Sequence, residues 1–305
     1  MTDLPALFSS EVGGGIAALL AALVWALAAT LFARLGRRLP AVEINILKGT
    51  LAMVLLAITL YLGGGSLVGI PGEALWLLMI SGVVGITLGE TAYLKAIQTL
   101  GPRRTLLMST LAPPMVGLIA WGFLGEALKW TAWLGILVTV GGVAWVILER
   151  SPNHNHHPAN LKLGLLFGFL AALAQSGALV LSRAALTRTT VDSLSSAVVR
   201  LFAGVVILAV WSLAARRPLV SLGVFKAQPR LWGLLLSATI LGTYLAIWLQ
   251  QVSISLAPAG IAQTLMSTSP IFILPIAAMS GEKLSPRAVL GALVALAGVW
   301  LLFGV

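Results

Sequence analysis

Two ionisable residues, Lys48 and Glu90, lie well inside long apolar segments of the sequence. A charge in the hydrocarbon core of a membrane is costly, and such residues are usually paired or functional. With 1.5 Å of rise per residue, both residues lie about 6–8 Å from the midplane on the same side. We therefore expect an ion pair. Either it takes part in proton coupling or in contact with a solute, or it is a structural pair that fixes two helices.

Arg200 is the third charged residue inside an apolar segment, and Ala246 stands where a second copy of Glu90 would recur. The sequence predicts no acidic partner for Arg200 on the neighbouring segments. Its guanidinium then either extends to the membrane surface or to backbone carbonyls, or it attracts the carboxylate of a solute. Further polar and aromatic side chains could form a pocket wall or anchor helix ends at the interface; these are Tyr93, Tyr244, Trp248 and Gln250.

Prolines interrupt two of the apolar segments near their predicted centres, Pro113 and Pro114 in one and Pro270 in the other. Proline has no N–H and clashes with the preceding turn, so carbonyls one turn earlier lose their helical partners. Hydroxyl side chains occupy the same turns, namely Ser109, Thr110, Ser267, Thr268 and Ser269. These groups either line a polar pathway or satisfy the backbone of a kinked packing helix.

The composition identifies the solvent as lipid. Hydrophobic residues make up 59% of the 305 positions and charged residues 9%, whereas a soluble domain has about 25% charged residues. The net charge of +10 comes mostly from short loops between apolar runs, which argues against a nucleic-acid partner. Cysteine is absent. His154, His156 and His157 lie in a polar linker without carboxylates or thiols beside them, so we expect neither a metal nor a cofactor.

Ten apolar runs of roughly 20 residues are long enough to cross a membrane as helices. The predicted spans are 14–34, 42–62, 74–97, 103–124, 129–148, 162–182, 194–214, 231–253, 259–280 and 286–304. The runs do not alternate apolar and polar residues, which excludes a β-barrel. The sequence therefore predicts an all-α polytopic membrane protein.

The chain is an internal duplication, because residues 75–143 recur 156 positions later without a gap. The matched residues are Leu75-Trp76, Pro102, Pro114, Gly125-Glu126, Leu128, Gly135 and Gly142-Val143 in the first copy and Leu231-Trp232, Pro258, Pro270, Gly281-Glu282, Leu284, Gly291 and Gly298-Val299 in the second. Five spans per copy place the copies in opposite orientations, as inverted repeats about an axis in the membrane plane. We expect repeats at 1–148 and 162–305, joined by a linker at 149–161.

Basic residues predict the orientation. Fourteen of the 19 Lys and Arg residues lie on the side of the linker and three on the opposite side, with Lys48 and Arg200 inside spans. The positive-inside rule then places the linker in the cytoplasm and both chain ends outside. The first 11 residues contain no Lys or Arg, so the first apolar run is expected to remain as a span.

Gly125-Glu126-x-Leu128 before a glycine-rich last span, repeated as Gly281-Glu282-x-Leu284, resembles the signature of the EamA family of drug/metabolite transporters. The basic residue early in the second span of each half and the proline-containing fourth span support the resemblance. It implies ten helices and transport of small polar metabolites without ATP, commonly the export of amino acids or related compounds.

The two Gly-Glu turns have a separate predicted role. Glu126 and Glu282 are expected at the start of the fifth span of each repeat, where a carboxylate stabilises the N-terminus of a helix. Gly85-x-x-x-Gly89 and Gly164-x-x-x-Gly168 are expected to allow close helix contacts.

Three functions remain open: a secondary transporter with alternating access, a passive channel and a membrane-embedded enzyme. An enzyme is disfavoured because the sequence contains no nucleophile–base or metal motif, and ATP-driven transport would need a phosphate-binding loop that is absent. The expected partners are a small-molecule substrate, possible coupling protons and the lipid of a cell membrane, inner or plasma. The protein is expected to be a monomer or weak homodimer.

Overall fold

The protein is a bundle of apolar helices. A computed structural model describes residues 11–36, 38–100, 105, 108–148, 160–216, 220–269, 271–272 and 285–303. The helices are α1 (Glu11–Leu35), α2 (Ala41–Leu62), α3 (Gly72–Leu100), α4 (Ala112–Leu124), α5 (Trp130–Leu148), α6 (Leu161–Arg188), α7 (Ser193–Ala214), α8 (Arg230–Leu256), α9 (Ala259–Met266) and α10 (Pro286–Phe303). A short helix, Val220–Ala227, lies between α7 and α8.

Each of these ten helices overlaps one predicted span. Six of them (α1, α2, α3, α6, α7 and α8) are long and apolar enough to cross a membrane by length and composition. The other four are shorter over the described residues, so the count of ten spans remains a prediction. Many large apolar side chains face outward, among them Trp76, Trp121, Trp130 and Trp300 near helix ends. Indole rings at such positions are typical of a membrane–water interface.

Helix α4 differs from its predicted span. The chain turns at Thr110 and Leu111, and the helix begins again at Ala112 with Pro113 and Pro114 in its first turn. Proline fits a first turn because those N–H groups have no helical partner. The two prolines therefore start a helix after a break, whereas the sequence placed them at the centre of a kinked span.

The two repeats pack through a symmetric set of helix pairs. Helix α1 packs on α8, and its counterpart α6 packs on α3; likewise α3 contacts α7 while α8 contacts α2. The equivalent helices α5 and α10 pack on each other, with Gly142 against Gly291 and Gly298 against Gly135. Residue numbers rise along one helix as they fall along the other, so these helices are antiparallel. Inverted repeats require this arrangement.

Glycines allow the closest helix crossings, as the sequence predicted for Gly85 and Gly164. A Cβ at Gly85 would lie 2.8 Å from the Cβ of Ala178 on α6. The tightest crossing is at Gly82, where an added Cβ would lie 2.1 Å from the carbonyl oxygen of Arg200 on α7. Helices α3 and α7 are in backbone contact there, next to the charged residues inside the spans.

We predict that Gly82→Ala destabilises the protein. The neighbouring atom is backbone and cannot rotate away, so the helices must separate, and overpacking of this kind costs about 1–3 kcal/mol or more. The unfolding temperature of the purified protein should fall by several degrees. Gly122→Ala is the matched control because nothing lies within 4 Å of its added Cβ. Equal unfolding temperatures for the two variants would contradict the proposed crossing.

Candidate functional site

Helix α3 contains a widened, π-helical segment at Val83–Glu90, and α8 contains one at Ile240–Leu245. The two segments occupy equivalent positions in the repeats. Widened turns shift the backbone hydrogen bonds and are frequent at functional sites. In α3, the carbonyl of Ile86 accepts a hydrogen bond from Asn45 Nδ2 at 2.9 Å, and the carbonyl of Gly85 accepts one from Gln175 Nε2 at 3.4 Å.

Glu90 ends this segment and forms an ion pair with Lys48 of α2. The structure therefore shows the contact that the depth of the two residues predicts. Both side chains are buried, with 7% and 5% of their residue surfaces exposed. The Lys48 ammonium also lies 5.3 Å from the centre of the Phe32 ring on α1. Helices α1, α2 and α3 thus surround one buried charge pair.

Arg200 of α7 is also buried and lies next to Gly82 and Gly85 of α3. Its Nη1 donates to Gln250 Oε1 of α8 at 3.3 Å, and its Nη2 lies close to Gly85. Its Nε has no hydrogen-bond partner among the residues that the structure describes. The described residues contain no ion pair between Arg200 and a carboxylate. Both alternatives for its guanidinium stay predictions.

The aromatic and amide candidates lie around these charges. Tyr244 shares a hydrogen bond of 2.8 Å with Thr59, and its ring is 6.1 Å from that of Trp248. Both rings pack against the core cluster between α2 and α7. Tyr93 lies about one turn beyond Glu90 on α3. Tyr244, Trp248, Tyr93 and Gln250 are all partly exposed.

The sequence interpretation missed two residues of this region, Asn45 and Gln175. Asn45 is fully buried, and its Oδ1 has no partner among the described residues. Both are amide side chains inside apolar spans, and that signal was available in the sequence. Their contacts could not be predicted, because they depend on carbonyls that the widened segment of α3 presents.

The hydroxyl turns satisfy their own helices. Ser267 donates to Gln263, Thr268 to Leu265 and Ser269 to Met266, at 2.7–2.8 Å. Ser109 likewise donates to Thr105 at 3.1 Å, and Thr110 is buried beside the break before Pro113. These contacts match the alternative in which the hydroxyls satisfy the backbone of a packing helix. A role in lining a pathway remains a prediction, and Pro270 lies outside the described residues.

Glu126 binds a helix other than the expected one. Its Oε2 accepts from the Ala259 N–H at 3.0 Å, in the first turn of α9, while Oε1 accepts from Arg183 Nε at 2.6 Å. Arg183 also donates to the carbonyl of Ile254 at 2.6 Å. The prediction that Glu126 stabilises the N-terminus of α5 is therefore wrong. Helix α5 begins only at Trp130, and the Glu126 carboxylate stabilises the N-terminus of α9 in the other repeat. We call these four residues the outer latch.

The repeat counterpart of Glu126, Glu282, lies outside the described residues, as do most of the linker 149–161 and its three histidines.

Two surface grooves are apolar. One of about 300 Å³ is bounded by Leu118, Trp121 and Trp133, and another of about 360 Å³ by Leu75, Met79 and Phe202. Both are suited to lipid contact, and both are lined by residues other than the polar ones described above.

The fold and the polar site together define a polytopic helical membrane protein with charged groups where its two repeats meet. The family model described as the EamA-like transporter family matches residues 12–148 and 162–304. The chain therefore belongs to the EamA family, within the drug/metabolite transporter superfamily. A solved structure described as "Crystal structure of protein" has the same fold, with a TM-score of 0.78 over 95% of this chain and 96% of that one, at 17% identity. No curated protein matches the chain.

We predict that Glu126→Gln lowers stability, since it leaves the Arg183 guanidinium without a counter-charge. Loss of a partly buried charged hydrogen bond costs about 1–3 kcal/mol. Unfolding temperature and yield should both fall. Glu73→Gln removes an exposed carboxylate from the first turn of α3 and serves as the control. If the two variants lose the same stability, the outer latch does not stabilise the fold.

Proposed function

We propose that the protein is a secondary transporter that exports small polar metabolites, such as amino acids or related compounds, by alternating access. The observation that carries the proposal is the buried Lys48–Glu90 pair in a member of a transporter family. A purely structural role would be served as well by apolar residues, because burying an ion pair gains little net stability. A pair that opens and closes during a cycle has a reason to be charged.

The position of the pair suits coupling. Glu90 lies on the segment of α3 that packs between α6 and α7 of the other repeat. Movement of α3 together with these two helices, relative to α2, would change the distance between this carboxylate and Lys48. A carboxylate that keeps its counter-ion in one state and loses it in the other can bind and release a proton in each cycle. Substrate would pass beside it, along Tyr93, Tyr244 and Trp248 and the hydroxyl turns before Pro113 and Pro270.

The outer latch supports two alternating states. It joins α4 and α6 to α8 and α9, so separating these helices at this end requires breaking it. In the sequence, Glu282 and Arg34 are the counterparts of Glu126 and Arg183 at the opposite end of the bundle. Arg34 is exposed. We propose that a second latch forms there when the outer latch opens.

For orientation, we propose that the outer latch faces the outside of an inner or plasma membrane, with the linker in the cytoplasm. The support is the asymmetry of Lys and Arg between the two sides. A reporter fused after Val305 should be active outside, and activity confined to the cytoplasm would contradict this orientation.

The proposal is tested by Glu90→Gln in proteoliposomes, with a metabolite panel supplied in the presence and absence of a pH gradient. The variant should lose accumulation against a concentration gradient but retain exchange of substrate across the membrane. Exchange needs only the substrate site, whereas accumulation needs a group that carries the proton. Ser267→Ala and Thr268→Ala in the same assay test the hydroxyl turns.

The controls separate coupling from folding. Glu90→Gln leaves Lys48 without its partner, so the double variant Lys48→Gln/Glu90→Gln is measured with it, and both are checked for a monodisperse folded state. Undiminished accumulation by the folded variants would reduce Glu90 to a structural residue. Flux in the parent that ignores every gradient would instead identify a channel, and chemical conversion of panel compounds would identify an enzyme.

A further inference from the structure

Each repeat places a basic residue at an equivalent position, but only the first repeat supplies a carboxylate to pair with it. Lys48 and Arg200 are counterparts early in the second helix of each repeat. The first repeat places Glu90 beside its cation, and the second carries Ala246 at the matching position of α8. The duplicated architecture is therefore complete on one side and lacks a carboxylate on the other.

The contacts of Arg200 do not replace that carboxylate. Only 3% of its surface is exposed, and its guanidinium donates a hydrogen bond to the neutral amide of Gln250, one turn after Ala246. Its Nε has no partner among the described residues. A guanidinium has five donors in a fixed fork that fits a carboxylate in a bidentate manner. One amide oxygen at 3.3 Å leaves most of this capacity unused.

Among the described residues, no ion pair joins Arg200 to an acid. Glu90 is paired with Lys48. Glu43 is buried in the first turn of α2 and is itself engaged in an interaction. Lys48, Glu90 and Arg200 together therefore carry a net charge of +1. Such a charge is costly in a low dielectric unless an anion accompanies it.

We propose that Arg200 binds the carboxylate of the transported solute, which takes the place of the missing counterpart of Glu90 beside Ala246 and Gln250. The solute carries a net charge of −1, because that charge makes the loaded site neutral. Acidic or N-acylated amino acids and small monocarboxylates belong to this class, whereas zwitterions leave the site positive. Gln250 accepts a hydrogen bond from the guanidinium, and the half-buried Gln175 lies next to Gly85, as does Arg200 Nη2.

The inference rests on the proposed transport function and narrows its substrate class. The first test is a flux assay in proteoliposomes with carboxylic acids and their amides of nearly equal size. The probes are glutamate, glutamine and glutamine amide, with net charges of about −1, 0 and +1 at neutral pH, together with N-acetylalanine, lactate, benzoate and the neutral amide of each. Protein-dependent flux is expected for acids of net charge −1, at least about tenfold faster than for their amides, the factor for one lost charge-assisted bond.

The second test supplies the missing carboxylate from the protein. Ala246→Glu should pair with Arg200, raise the unfolding temperature relative to Ala246→Gln, and reduce flux of the anionic probes at least about tenfold. Ala246→Gln has nearly the same size without the charge, so it separates blockage of the site from charge compensation and should reduce flux less than Ala246→Glu does. Arg200→Lys keeps the cation and should retain part of the flux, whereas Arg200→Gln should lose it. If Ala246→Glu does not fold, Ala246→Asp replaces it.

The outcomes separate this inference from the function on which it depends. Flux of neutral amides or zwitterions at the rate of the anions, or full anion flux in folded Arg200→Gln, would overturn the inference and leave a transporter with another substrate class. Full anion flux in folded Ala246→Glu would also overturn it. If no probe crosses with the parent protein while the metabolite panel does show flux, the substrate is not of this class. No flux in either assay would overturn the transport function as well.

Discussion

A charge buried among apolar helices must be compensated, and this constraint organises the centre of the protein. Lys48 and Glu90 compensate each other, and three helices meet around them. The α3 segment that carries Glu90 is widened, so that its carbonyls can bind Asn45 and Gln175. The crossing at Gly82 brings α7, and with it Arg200, against the same segment. The polar centre and the tight packing are therefore one arrangement.

The two repeats are similar in their packing and differ in their buried charged residues. Their helix pairs are symmetric, their widened segments occupy equivalent positions, and α5 and α10 are antiparallel around matched glycines. Against this symmetry, Glu90 has Ala246 as its counterpart, and Arg200 Nε has no partner among the described residues. Similar repeats suit the two orientations of the proposed cycle, and their difference gives each repeat its own charged group. We interpret the first as the means of alternation and the second as the means of coupling and recognition.

Much of this could be predicted from the sequence, because apolar length and repeat register act locally. The approximate bounds of the six long helices, the Lys48–Glu90 contact and the close approach at Gly85 follow from span length, depth and residue size. The widened segments, the role of Gln175 and the partner of Glu126 did not follow. Each depends on which backbone groups another helix presents.

The central claim is that a solute carboxylate completes the site that Arg200 leaves open. The most direct measurement is a structure of the protein with a transported carboxylate bound. We expect its carboxylate oxygens at about 2.7–2.9 Å from the Arg200 guanidinium, including Nε, beside Ala246 and Gln250. A solute bound elsewhere, with the Arg200 guanidinium still hydrogen-bonded to Gln250 and not to the solute, would contradict the account.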